Sequence, residues 1–106
     1  MTQPRDAAAS PPARAEVLLP GALRDLAGGA RRVEVELPGP GTVADVLTRL
    51  AAAHPVLVRR IRDETGAVRR YVNVYVDGAD IRHDAGVDTA VRDGAVVQIL
   101  PSVAGG

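Results

Sequence analysis

Apolar and polar residues alternate over two stretches in the first third of the chain. From Arg14 to Leu19, Ala15, Val17 and Leu19 share one side, with Arg14 and Glu16 on the other. From Arg32 to Leu37 the pattern is cleaner, with Val33, Val35 and Leu37 set against Arg32, Glu34 and Glu36. A period of two predicts half-buried strands. Between them, Pro20-Gly21 and Gly28-Gly29 predict a wide turn joining an antiparallel pair. The glycine pair opens no helical pattern, so it reads as a turn and not as a phosphate-binding loop. After Pro38-Gly39-Pro40-Gly41 the period changes. Thr42 is a good N-cap, and Asp45 three residues on completes a capping-box-like start. Val43, Val46, Leu47, Leu50 and Ala51 then recur at the spacing of one helix face. Ala51-Ala52-Ala53 prolongs the helix to His54-Pro55, where the proline disfavours helical geometry at the residue before it.

Residues 59–70 (RRIRDETGAVRR) hold five arginines around a Thr65-Gly66 turn, with Asp63 and Glu64 among them. They read as a solvated loop and as a candidate docking surface. A third strand is predicted over Tyr71–Val76, with Val72, Val74 and Val76 inward and Tyr71, Asn73 and Tyr75 outward. Asp77-Gly78 is a strong hairpin signal, so Ala79 to Arg82 is expected to pair back briefly. A polar stretch and a single helical turn near Val87–Val91 follow. Asp93-Gly94 then turns the chain into Ala95–Leu100, which is almost continuously apolar. Burial on both faces is the mark of central, parallel strands, so this last strand is expected mid-sheet beside the first. The sum is an α+β fold: a mixed four- to five-stranded sheet with one main helix packed on one face. Residues 1–13, small, polar and Pro-rich, are expected to form a disordered leader, 14–100 the domain, and 101–106 a flexible tail.

Composition narrows this picture. There is no Phe and no Trp, so the core is built from Val, Leu, Ile and Ala and must be thin. Thirteen basic and thirteen acidic residues cancel, which removes the electrostatic case for general nucleic-acid binding. The absence of cysteine excludes disulfides, thiolate metal sites and a cysteine nucleophile. Any sulfur chemistry must therefore use sulfur brought to the chain. No apolar run is long enough to cross a membrane and no signal-peptide plan is present, so the cytoplasm is the expected compartment. All thirteen basic residues are Arg. A GC-rich genome accounts for that bias, and an activated C-terminus would also find no lysine amine on its own surface. His54 and His83 lack metal-ligand spacing, and Asp77, Asp80 and Asp84 suit turns. Ser102 has no accompanying base for nucleophilic catalysis. No catalytic residue and no metal site are therefore assigned. Tyr71 and Tyr75, with Arg69 and Arg70 beside them, make a candidate partner-docking patch.

The chemistry is expected in the tail Pro101-Ser102-Val103-Ala104-Gly105-Gly106. Pro101 cannot donate to a ladder and is expected to end the strand. Glycine allows close approach by another backbone or a ligand. A Gly-Gly end therefore presents the Gly106 carboxylate on a thin wire that an ATP-containing site could admit. The element order is that of the β-grasp fold of ubiquitin. With the ending Ile99-Leu100-Pro101-Ser102-Val103-Ala104-Gly105-Gly106, the chain from about Arg14 onward resembles the MoaD/ThiS family of ubiquitin-like sulfur carriers. Within that family, Tyr71-Val72-Asn73-Val74-Tyr75-Val76-Asp77-Gly78-Ala79-Asp80-Ile81-Arg82 is most similar to the CysO-type branch, which serves cysteine biosynthesis.

The resemblance implies a carrier rather than an enzyme, with no bound cofactor. An E1-like partner of the MoeB/ThiF type would use ATP to adenylate Gly106, and a sulfur donor would convert the adenylate to a thiocarboxylate. Val103, Ala104 and Gly105 would thread the tail into that partner. In the CysO-type branch the sulfur would attack a PLP-bound aminoacrylate in a cysteine synthase of the CysM type. A JAMM-type zinc protease would then release cysteine. Nucleic acid and membrane are not expected partners. The alternatives are the small subunit of molybdopterin synthase, a protein modifier forming isopeptide bonds, and a β-grasp binding module with an inert tail.

Overall fold

The architecture is seen in a computed structural model that describes residues 11–102. Most of the expected leader, residues 1–10, and the tail residues Val103, Ala104, Gly105 and Gly106 lie outside the described residues. Strand β1 (Ala13–Leu18) opens one residue ahead of Arg14 and pairs antiparallel with β2 (Arg32–Leu37). The register sets Ala13, Ala15 and Val17 opposite Leu37, Val35 and Val33, so one face of the pair is aliphatic throughout. The other face carries Arg14, Glu16 and Glu34. The sheet order is β2-β1-β7-β4-β5, with β4 at Val72–Val76, β5 at Ala79–Asp80 and β7 at Val96–Pro101. Strand β7 lies in the middle, parallel to β1 and antiparallel to β4. The expected sheet and strand placement hold.

The reason given for that placement does not. Strand β7 is not buried on both faces: Val97 and Ile99 are buried, while Val96, Gln98 and Leu100 are only half-buried. Its near-continuous apolar run therefore places Val96 and Leu100 on the open face of the sheet, among polar residues such as Gln98, Glu16 and Asn73. The helical layer covers the other face alone.

Helix α1 (Val43–Ala53) starts on the predicted capping box. The Asp45 amide donates to Thr42 Oγ1 at 3.2 Å, and the Thr42 amide donates to Asp45 Oδ2 at 2.9 Å. Val43, Val46, Leu47 and Leu50 are buried against the sheet, each such side chain contributing about 1.5–3 kcal/mol. Pro55 does more than stop this helix. It stands at the first position of a second, short helix, α2 (Pro55–Ile61), a place where the missing N–H costs nothing. Leu57, Val58 and Ile61 of α2 are buried, so Arg59 and Arg60 sit on a helix and not in a solvated loop as expected.

Three further elements were not predicted as such. The first connection contains a 3₁₀ helix, Gly21–Ala27, and Gly28 closes it at φ 68°, donating its N–H to Arg24 O. The glycine pair is thus a helix C-cap inside the wide turn. A 3₁₀ helix, Ile81–His83, follows β5. The helical turn expected over Val87–Val91 is a 3₁₀ helix at Gly86–Asp88, after which Ala90–Val91 forms β6. Strand β6 pairs with β3 (Gly41–Thr42), just ahead of α1.

Candidate functional site

The position and rigidity of the tail's exit follow from the ends of β7. At its start, Asp77 N donates to Val96 O at 2.8 Å, and Val96 N donates to Asp77 Oδ1 at 2.9 Å. On the β1 side, Glu16 N donates to Ala95 O at 2.9 Å, and Arg14 N donates to Asp93 Oδ1 at 2.9 Å. The strand is thus braced by two turn aspartates, Asp77 just after β4 and Asp93 in the turn that leads into β7 itself. At its far end Pro101 is the last residue of the strand, as expected, but hydrogen bonding to the β4 side runs past it. Pairing with β1 stops at Gln98, but pairing with β4 continues to Val72 opposite Pro101. Ser102 N then donates to Tyr71 O at 2.7 Å. Since alternate residues address alternate neighbours, the missing N–H of Pro101 faces the side where β1 has already turned away. The exit is therefore held at Ser102.

A groove of about 190 Å³ lies beside this exit, lined by Ala22, Leu23, Arg60, Tyr71, Leu100 and Pro101 among others. Two of its walls, the first 3₁₀ helix and α2, were not foreseen. Pro55 as a helix-starting residue, with Leu57, Val58 and Ile61 on one face, was the signal that could have revealed α2.

The four docking candidates do not form one patch. Tyr71 stands 56 % exposed at the exit, and Arg70 is exposed next to it. Tyr75 lies further along β4, half-buried opposite Gln98 on the open face. Arg69 turns away into a clasp: its Nε donates to Arg59 O at 2.7 Å, and its N–H donates to Ile61 O at 2.9 Å. On the open face Leu18, Leu100 and Tyr75 surround Gln98, and the Arg32–Glu16 pair lies at 2.9 Å on the β1–β2 side. Asn73, opposite Leu100, has a shielded Oδ1 with no hydrogen-bond partner among the described residues.

Charged turns support this frame. Asp63 accepts from Thr65 Oγ1 at 2.6 Å, Thr65 N at 2.8 Å and Ala67 N at 3.2 Å. Those donors, the Thr65 hydroxyl foremost, hold its carboxyl below the usual range. The Arg82 guanidinium does the same for Asp80, at 2.9 Å. Neither carboxylate faces the exit groove. Among the described residues no group of three His, Cys, Asp or Glu could hold a metal ion. His54 joins α1 to α2, and His83 ends a 3₁₀ helix. The described residues thus form a sheet-and-helix body in which β7 carries the chain as far as Ser102. Among them no helix is long and apolar enough to cross a membrane.

Comparison with known proteins agrees with this geometry. A profile of the ThiS family matches residues 17–106. The sulfur carrier protein CysO of Mycobacterium tuberculosis is 37% identical over 92 residues, covering 85% of this chain and 96% of that protein. CysO of Amycolatopsis orientalis, solved in a BexX/CysO complex, superposes with a TM-score of 0.73 at 33% identity, covering 87% of this chain and 99% of the other. Small archaeal modifier protein 3 of Haloferax volcanii is 36% identical over 78 residues, covering 74% of this chain and 84% of that protein.

Proposed function

This chain belongs to the ThiS family of ubiquitin-like β-grasp sulfur carriers, and from that premise we propose that it carries sulfur as a thiocarboxylate on Gly106 for cysteine synthesis. The body, residues 14–100, is the handle by which partners hold it, and 101–106 is the wire. A carboxylate does not exchange oxygen for sulfur at neutral pH, because oxide is too poor a leaving group. In the proposed first step, a carboxylate oxygen of Gly106 attacks the α-phosphorus of ATP in an E1-like enzyme of the MoeB/ThiF type. Pyrophosphate leaves and an acyl adenylate forms. A donor's sulfur then displaces AMP at the same carbonyl. The thiocarboxylate is anionic at physiological pH yet remains nucleophilic, the combination that sulfur transfer needs.

In the cysteine branch, a cysteine synthase of the CysM type would use PLP to present an electrophilic carbon to that sulfur. An acyl shift from sulfur to nitrogen would leave cysteine in amide linkage to Gly106, and a JAMM-type zinc protease would hydrolyse it. The ATP requirement suits the cytoplasm. Tyr71 and Tyr75, with Leu18 and Leu100 near them, would meet these partners on the open face. Val103, Ala104 and Gly105, being small, would pass into a narrow site.

The observation that carries the reading is the exit itself: the ladder runs to Ser102, pinned on Tyr71 O at 2.7 Å, with three residues between it and Gly106. The 37% identical CysO supports the cysteine branch. The 36% identical archaeal modifier protein supports a second reading, in which the activated Gly106 is passed to the amines of target proteins. Intact mass after incubation with ATP, sulfide and the E1-like enzyme tests the first reading, with the Gly106-deleted chain as control. Exchange of one oxygen for sulfur in the full-length chain alone is expected. An unchanged mass, with the enzyme active on another carrier, refutes it, and covalent adducts on other proteins would favour the modifier.

A further inference from the structure

Five of the thirteen arginines crowd into residues 59–70, and none of the five has a carboxylate within ion-pair distance among the described residues. The ion pairs found there lie elsewhere, at Arg32–Glu16 and Arg82–Asp80. Asp63 and Glu64 share the stretch, so five arginines against two carboxylates leave it with a net charge of +3. Glu16, Glu34 and Glu36 lie on β1 and β2, at the sheet edge. The stretch is thus a local basic patch on a chain of zero net charge.

The backbone that carries these arginines is well braced, and two of the five guanidiniums, those of Arg62 and Arg69, are held by hydrogen bonds. Arg59 and Arg60 ride on the last turn of α2. Arg62 pairs across a bridge with Val68, and its Nη2 donates to Thr48 Oγ1 at 3.3 Å. The Asp63–Thr65–Ala67 hydrogen bonds tie the turn between them. Arg69 Nε clasps Arg59 O, locking the turn back onto α2. A guanidinium held in place forfeits less entropy on binding than a mobile one.

The face also adjoins the exit. Arg60 lines the same groove as Leu100 and Pro101, and Arg70 precedes Tyr71, whose carbonyl holds Ser102. From Ser102 to Gly106 the chain can span at most about 14 Å, at about 3.6 Å per residue. Any enzyme that closes on the Gly106 carboxylate must bring its surface within that distance of Ser102. It then meets Arg60 and Arg70.

We propose that the arginine face of α2 and the 62–70 turn docks against an acidic protein surface flanking the tail-entry site of the activating enzyme. This rests on the reading of Gly106 as the reacting end. Guanidinium forks match carboxylates bidentately, and a basic patch beside the exit steers it toward an acidic surface.

The test uses the full-length chain with the doubly substituted Arg60→Glu/Arg70→Glu variant. Both side chains are exposed and make no hydrogen bond among the described residues, so the fold is preserved. The variant's KM in ATP-dependent activation is expected to rise roughly tenfold at about 0.1 M salt, with kcat unchanged. Salt should raise the wild-type KM and narrow the gap. Arg49→Glu/Arg92→Glu, an equal charge change near β3, is expected to leave KM unaltered. An unchanged KM in the first variant overturns the docking proposal alone, and so does an equal rise in both, which would report net charge only. Loss of binding to RNA or anionic vesicles, with KM untouched, would assign the face to another polyanion and overturn it too. Failure of the wild-type chain to be activated at all sinks this proposal together with the reading it rests on.

Discussion

Replacing Asp77 tests whether the brace at the head of β7 is what holds the exit strand in register. Asp77 has φ of 50°, the left-handed region, and is the single described non-glycine residue there. Its Oδ1 accepts the Val96 amide at 2.9 Å, while its own amide donates to Val96 O. Asp77→Ala removes the acceptor and puts an alanine into a conformation that Asp tolerates better. The lost hydrogen bond to a charged acceptor is worth about 1.5 kcal/mol, at the low end because the group is exposed. The backbone strain adds about 1 kcal/mol. The sum, about 2.5 kcal/mol, is a large share of the roughly 5–15 kcal/mol that hold a domain of this size. It corresponds to a fall of about 10–20 °C in Tm. Asp77→Asn keeps both the acceptor and the tolerance of positive φ, and should cost less than about 1 kcal/mol. Urea unfolding with an unchanged m-value measures both variants, and amide exchange at Val96 reports the brace directly. If Asp77→Ala lies within about 0.5 kcal/mol of wild type, or Asn costs as much as Ala, the reasoning fails.

Other perturbations probe the rest of the frame. Leu47 is fully buried beneath α1, and with no Phe or Trp to fill the gap Leu47→Ala should cost about 3 kcal/mol by thermal melting; a loss under about 1 kcal/mol would mean that the layers collapse onto the void. Asn73→Val removes a shielded acceptor without a partner from the centre of the sheet and should stabilise by about 1 kcal/mol, whereas a loss would show that the amide is satisfied in solution. Asp63 and Asp80 have carboxyls lowered in the folded state, so near pH 4 the unfolded chain binds more protons than the folded one. Their contribution is complete above the ordinary carboxyl value of about 3.9 and is lost as pH falls through the lowered folded values. Asp63→Asn should flatten the acid limb of stability there, and an unaltered slope would refute the assignment.

Local rules carried far in this chain wherever one signal acted alone. The Thr42–Asp45 capping box, the alternation in β2 and the Asp77-Gly78 turn are satisfied by near neighbours, and each stands where the pattern put it. The ambiguous signals were those with two physical meanings. Pro55 ends one helix and begins another, and only the burial of Leu57, Val58 and Ile61 selects the second meaning. Pro101 lacks a donor in either case. Whether that breaks a strand depends on which neighbour its nitrogen faces, and β1 has already departed on that side. The four docking candidates, adjacent in sequence, were separated for the same reason. Arg69 is spent on Arg59 O, while Arg70 and Tyr71 flank the exit.

By itself the sequence determined the main helix, the longer strands, the lack of cysteine chemistry and the diglycine on which the function is proposed to turn. These rest on periodicity, turn chemistry and residue inventory, which are properties of short segments. Tertiary structure alone decided that Val96 and Leu100 of β7 face an open side, that Arg60 joins the wall of the exit groove, and that Ser102 is pinned to Tyr71. Those are facts about which segments meet. They depend on long-range pairing between β7 and strands far from it in the chain, and no local pattern encodes which of two faces another layer will cover.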